Sequence, residues 1–439
     1  RWLVLRHCVQ AGCDADLLAP GEYRAGEKYR RTLDFWRRWV DQCRYHGRWR
    51  EAVTRSALVI KLLTFGPTGA IVAAPTTSLP ELVGGSLNWD YRYCWPRDSV
   101  LALNALLRLG YTEEAHAFFR WLEARSLEGD LQALYGIDGR RELPEEVLIH
   151  LEGYRGSRPV RIGNAASTQL QLDVYGEILS AFALLTRQGK KLGGNIWAAL
   201  RRLVDTLCER WQEPDSGIWE VRGPRRHYVH SKLMAWVALD RAISLLDPLG
   251  QGIGFFAALS QGILGLLRGE RPVLQRWTEV KEAIARDILL HGWNPRRGAF
   301  TQTYGSDSLD ASLLLLPTCQ FLPGEDERVQ STVELVKKEL TINGLVCRYR
   351  SPEGGAGAFA LCSFWLAEAL AALGRRAEAV AIFEATLARG NHLGLYSEEI
   401  DPDSGEFLGN FPQALTHLGL VESALMLDQS GETRKDPSR

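Results

Sequence analysis

Helical spacing of apolar residues recurs along almost the whole chain, and this most constrains what it can fold into. Apolar positions three and four apart mark helices at about 29–45, 50–65, 97–109, 112–124, 165–187, 196–211, 228–246, 254–267, 274–290, 309–316, 325–340, 359–373, 376–388 and 412–427. Strand-like alternation is confined to the first 25 residues and residues 70–95. The helices come in hairpins, with long irregular stretches before alternate helices. Helices that pair and pair again can close into a ring whose loops at one end meet over a central cavity. The expected fold class is therefore all-α, an α/α toroid, with a solenoid of helical pairs as the alternative. No fixed repeat length of the tetratricopeptide or HEAT kind is present.

Residues 1–24 read differently. A short strand-like run, Trp2-Leu3-Val4-Leu5, leads into a connector with Gly and Pro, so this stretch is expected to be the remnant of a preceding element or a linker. Residues 25–430 are expected to form the helical domain and 431–439 a polar tail. The chain starts at Arg1 without an initiator Met, which suggests a fragment or a processed form.

A formal net charge of -1 with 24% charged residues offers no electrostatic case for binding nucleic acid or an anionic membrane, and a neutral ligand fits better. No apolar run is long enough for a membrane span. The eight cysteines are scattered, several inside apolar runs, which favours buried thiols over a disulfide framework and points to a cytoplasmic protein. The histidines lack metal-ligand spacing, and Gly136-Ile137-Asp138-Gly139 and Gly354-Gly355-Ala356-Gly357 follow neither a phosphate-loop nor a dinucleotide pattern.

Three loops carry chemistry. In Asn88-Trp89-Asp90-Tyr91-Arg92-Tyr93-Cys94-Trp95-Pro96-Arg97-Asp98, rings alternate with arginines and carboxylates. That suits a polyhydroxylated ligand, whose C–H faces lie on rings while its hydroxyls bond to Asp and Arg. A half-buried strand with a structural Arg97-Asp98 pair fits the same residues. In Gly217-Ile218-Trp219-Glu220-Val221-Arg222 a carboxylate follows an aromatic, which would desolvate it as a general acid requires. A surface turn pairing Glu220 with Arg222 is the other reading. In Ser397-Glu398-Glu399-Ile400-Asp401 three acids crowd four positions, either a catalytic carboxylate or a solvated acidic turn or cation site. Glycoside hydrolysis needs a pair of carboxyl groups, one to protonate the leaving oxygen and one to activate water or attack carbon.

These loops, with Tyr135-Gly136-Ile137-Asp138-Gly139-Arg140-Arg141, Ile162-Gly163-Asn164-Ala165-Ala166, Cys362-Ser363-Phe364-Trp365-Leu366 and Gly409-Asn410-Phe411-Pro412-Gln413-Ala414, resemble the bacterial branch of glycoside hydrolase family 15. The match runs in order over residues 30–428. The resemblance implies an (α/α)6 barrel and an inverting mechanism. The family comprises glucoamylases, glucodextranases and some α,α-trehalases. It implies Glu220 as general acid and Glu398 as general base, with Glu399 the alternative base. Their carboxyl groups should lie about 6.5–9.5 Å apart. Arg97 and Asp98 match the pair that holds the terminal glucose, Tyr91, Trp95 and Trp219 the aromatics around the site, and Arg348 a further subsite arginine. No metal or organic cofactor is implied.

Two departures stand out. Bacterial members carry a β-sandwich domain ahead of the barrel, of which residues 2–8 could be a remnant; an uncovered barrel flank leaves a homo-oligomer open. Ala356 also stands where an acidic residue is expected between Gly355 and Gly357. The expected function is an exo-acting, glucoamylase-like hydrolase releasing β-glucose from α-linked gluco-oligosaccharides. α,α-Trehalase is the alternative, ahead of a phosphorylase or a non-catalytic sugar-binding protein.

Overall fold

The computed structural model describes residues 25–246, 263–350 and 357–432. Residues 2–8, Cys8, Cys13, Ala356 and the tail from 433 lie outside the described residues. The chain divides into two compact units, residues 1–44 and 45–439. In the first, the described element is α1 (Ala25–Val40), which stops short of the expected end at residue 45.

The second unit holds α2 (Arg50–Leu63), α3 (Ser99–Leu109), α4 (Thr112–Leu127), α5 (Asp173–Arg187), α6 (Gly194–Arg210) and α7 (Val229–Leu246). It continues with α8 (Ile263–Asp287), α9 (Leu316–Cys319), α10 (Glu327–Leu340), α11 (Ala360–Ala372), α12 (Arg376–Leu387) and α13 (Ala414–Glu432). Six of these segments pack in a closed ring: α3 on α5, α5 on α7, α7 on the 3₁₀ turn Ala311–Leu315 that runs into α9, that turn on α11, α11 on α13, and α13 back on α3. The contact between α13 and α3 makes this a toroid rather than an open solenoid. Six others form the outer layer, with α2 against α13, α4 against α3, α6 and α8 against α7, α10 against α11 and α12 against both α11 and α13.

Sequence dictates the two layers. Inner helix α11 is buried at every position from Ala360 to Leu370, as a helix surrounded on all sides must be. Outer helix α10 buries a single stripe, Val329, Thr332, Val333, Val336 and Leu340, and its other faces are polar. Gly110, at a φ of 96°, ends α3 in the left-handed conformation and turns the chain directly into α4. One expected break is missing. The gap between the helices expected at 254–267 and 274–290, with Pro272 in it, lies inside α8, where packing along α7 outweighs the roughly 3 kcal/mol that an interior proline costs. Six described cysteines are free thiols, four of them buried. No helix among the described residues is long and apolar enough to cross a membrane.

Where α3, α11 and α13 meet, two carboxyl groups are buried. Glu368 accepts from Ser423 Oγ at 2.7 Å, and Glu422 accepts from Asn104 Nδ2. Burial pushes Glu368 up to about 7 and Glu422 up to about 8, the latter against the opposing Arg108. Both folded values exceed the unfolded one, so the stability contributed by the protonated forms is complete below about pH 4 and is lost as pH rises through 7 and 8. Thermal unfolding should therefore show Tm falling between about pH 4 and 8 and levelling off above that. The fall should be smaller in Glu422→Gln by roughly 1–3 °C. Equal falls in both proteins would remove Glu422 as a cause.

Candidate active site

Loops that precede the inner-ring segments converge on a cavity of about 480 Å³. The loop before α3 supplies Tyr91, Trp95, Arg97 and Asp98, and that before α5 supplies Arg161 and Asn164. Trp219, Glu220 and Arg222 precede α7, Arg348 and Phe359 precede α11, and Glu398 and Gln413 precede α13. Every residue singled out above for a catalytic or binding role except the alternative base, Glu399, lines this cavity.

Residues 88–98 do not form a named strand. Short pairings pin them instead: Ala73 and Ala74 donate to the carbonyls of Tyr93 and Tyr91, and Cys94 exchanges two hydrogen bonds with Tyr135 at 2.9 Å. Its rings still take the core role that the strand reading expected. Tyr93 and Trp95 pack in a core cluster with Leu134 and Leu143, and Tyr91 lies against it. The Tyr91 and Trp95 rings meet edge to face at 5.4 Å, and each aims its polar atom at a carboxylate. Tyr91 Oη donates to Glu398 Oε1 at 2.7 Å, and Trp95 Nε1 donates to Glu220 Oε1 at 2.6 Å. Burial, with Glu398, Glu81 and Glu220 nearby, raises the Tyr91 hydroxyl well above its ordinary range, so it stays a donor.

Glu220 sits at a φ of 55°, a left-handed conformation that costs a β-carbon-bearing residue about 1–3 kcal/mol. The turn that leads to it needs Gly217, also left-handed, whose missing Cβ would lie 2.9 Å from the Tyr228 ring. Arg97 ties this turn to the opening loop: its Nη1 donates to Ile218 O at 2.7 Å and its Nη2 lies 3.4 Å from Glu220 Oε1. The surface-turn reading is overturned, because Arg222 bonds Glu145 at 2.8 Å and Asn164 at 3.2 Å rather than Glu220. The shielding aromatic is also a different one. Trp219 turns its indole N–H to both oxygens of the buried Asp310 at 3.0 Å, and the ring that bonds Glu220 is Trp95. Burial pushes Asp98 up to about 6, opposed by Arg97 and reinforced by Glu220 and Asp173.

The three crowded acids diverge. Glu399, fully buried, accepts from Gly357 N at 3.0 Å and pairs with Arg348 at 2.5 Å, and Asp401 accepts from Ser404 N and Asp403 N in a turn. Of the two candidate bases, Glu398 is the one on the cavity wall. Burial pushes it up to about 8, with Glu81 and Glu220 adding and Arg348 and the Tyr91 hydrogen bond opposing. Its Oε2 is buried and has no hydrogen-bond partner among the described residues. Gly409, at a φ of 72°, leaves room beside it: a Cβ there would come within 2.7 Å of Oε2.

Some groups in and behind the cavity wall escaped sequence reading. Glu81 pairs with Arg348, and Asp310 holds Trp219. Trp89 lies under two guanidiniums, Arg161 and Arg222, each 4.6 Å from its ring centroid and both paired to Glu145. These partners are far apart in sequence. The signal available was the long irregular stretch 128–162, which delivers Glu145 and ends at Arg161.

Residues 47–425 match the model for glycosyl hydrolases family 15. The chain belongs to this family. Among curated relatives, it is 42% identical over 427 residues to a trehalase of Mycolicibacterium smegmatis, covering 94% of this chain and 61% of that protein. To a trehalase of Mycobacterium tuberculosis it is 43% identical over 420 residues, covering 93% and 59%. To one of Thermoplasma acidophilum it is 39% identical over 419 residues, covering 94% and 69%. The chain thus spans about three fifths of the length of the mycobacterial relatives. A crystal structure of a bacterial glucoamylase complexed with acarbose superposes with a TM-score of 0.70 at 14% identity, over 92% of this chain and 59% of that one. A wild-type glycosidase gives 0.64 at 23% identity, over 86% and 96%. At these identities the shared property is the fold, the (α/α)6 barrel of this family.

Two glycines separate backbone strain from contact with Glu398. Gly405 and Gly409 both have φ near 75°, but a Cβ at Gly405 meets open space. Gly405→Ala should cost about 1–2 kcal/mol of unfolding free energy, and Gly409→Ala about 1–3 kcal/mol more, measured by urea denaturation. Equal costs would mean that Glu398 is not held where described.

Proposed function

We propose that this chain is the catalytic region of an α,α-trehalase that cleaves trehalose with inversion at the anomeric carbon. The observation that carries this is the pair of carboxyl groups in one cavity, Glu220 and Glu398, each held by one member of the same aromatic pair. The relatives named trehalase, at 39–43% identity, favour the alternative drawn from the sequence over the glucoamylase-like reading.

In this mechanism Glu220 is the acid. Its Oε1 takes both Trp95 and Arg97, so the proton belongs on Oε2, from which it passes to the glycosidic oxygen as the C–O bond breaks. Glu398 takes a proton from a water whose oxygen bonds to the anomeric carbon from the opposite face. One glucose leaves as an alcohol, the other as the β-anomer, and solvent restores both protonation states. Arg97 and Asp98, each 13% exposed, clamp the first glucose at the cavity floor. Trp89, Arg161 and Arg222 at the more open rim, where Arg222 is 33% exposed, receive the second.

Because Glu398 must be ionised to act, kcat/KM should rise with pH through its raised value, placing the acid limb above the ordinary carboxylate range near 4.3. A substrate panel of trehalose, maltose, maltotriose and isomaltose tests the assignment. Trehalose should give the highest kcat/KM, and Glu220→Gln and Glu398→Gln should each lower it by about 10²–10⁴-fold with Tm little changed. Preference for maltotriose would put the glucoamylase reading first. Dependence on phosphate with glucose 1-phosphate as product would favour a phosphorylase.

A further inference from the structure

Beside the base, two carboxylates share one guanidinium. Arg348 Nη2 pairs with both Glu81 Oε2 and Glu399 Oε1, and Glu398 follows within the same wall. Glu81 is 3% exposed and faces the cavity, yet the mechanism above does not use it. Its segment is fixed to the loop of the base: Gly409 N donates to Pro80 O at 2.8 Å, and Glu81 N closes a turn onto Leu87 O at 3.1 Å. A buried carboxylate held this firmly next to another is more than a loop anchor, since either charge disfavours the other.

We propose that Glu81 is a positioning residue that sets the pH at which Glu398 can act as base, by claiming Arg348 together with Glu399 and so withholding that guanidinium from Glu398. This rests on the reading of Glu398 as the base. The ionisable groups that face Glu398 are Glu81, Glu399 and Glu220, which make its ionisation harder, and Arg348 and Tyr91, which make it easier. After burial itself, Glu81 is the largest influence holding Glu398 high. A base tuned upward in this way is stronger at neutral pH than an ordinary carboxylate. With Glu81 neutral, Glu399 would be the one charged partner left on Arg348, more of its positive charge would act on Glu398, and Glu398 would ionise at lower pH.

Glu81→Gln keeps the shape and an acceptor for Arg348 while removing the charge. Two readouts apply. The first is the acid limb of kcat/KM on the preferred α-glucoside; the second is the Glu398 carboxyl titration by ¹³C NMR of glutamate-labelled protein, assigned by its loss in Glu398→Gln. Both midpoints should fall by about one pH unit or more relative to wild type. Glu81→Asp, which keeps the charge but withdraws it by one methylene, should give a smaller fall in the same direction. It carries the test alone if Glu81→Gln does not fold. Unmoved midpoints, even with a uniform loss of activity across pH, would overturn the proposal and leave Glu81 a structural residue. Absence of any α-glucoside hydrolysis by the wild-type protein would count against the functional reading instead, and the NMR titration would still decide the role of Glu81.

Discussion

The site depends on the edge-to-face contact between Tyr91 and Trp95. One ring donates to Glu398 and the other to Glu220, so the spacing of the two rings sets the spacing of the two acids. Each hydrogen bond is worth about 0.5–1.5 kcal/mol, and the pair is itself packed on Leu134 and Leu143 rather than standing free in solvent. The carboxyl groups are therefore held by the core, and strain such as the left-handed Glu220 is stabilised by contacts that Arg97 makes across the same turn.

The toroid explains why these pieces meet. Each inner segment begins where a long loop ends, and closure of α13 onto α3 brings the loop that carries Glu398 next to the one that carries Tyr91, although they are about 300 residues apart. Short turns such as Gly110, between α3 and α4, join the helices within a pair.

Most helix positions were legible because apolar periodicity reports directly on how many sides of a helix are covered: all of α11, one stripe of α10. That Glu220 and one of Glu398 and Glu399 would lie in the cavity was legible from motif resemblance, but their partners were not. Trp219 is next to Glu220 in sequence, yet its indole N–H is taken by Asp310, 91 positions away. Glu398 and Glu399 are neighbours on an extended segment, where alternate side chains face opposite ways, and sequence alone leaves open which one faces the cavity. Glu81 and Glu145 sit in stretches with no local pattern, and each matters only through an arginine brought from elsewhere in the ring. Long-range charge pairing of this kind leaves no periodic trace for sequence reading to find.

Two acids held on either side of one aromatic pair should act on opposite faces of the sugar, and the products of trehalose report this directly. In ¹H NMR during the first minutes of hydrolysis in H₂¹⁸O, before mutarotation, an inverting site yields one α-glucose and one β-glucose per trehalose, with the label in the β-anomer. Two α-glucose molecules would mean retention, and would contradict the assignment of Glu220 and Glu398 as separate acid and base.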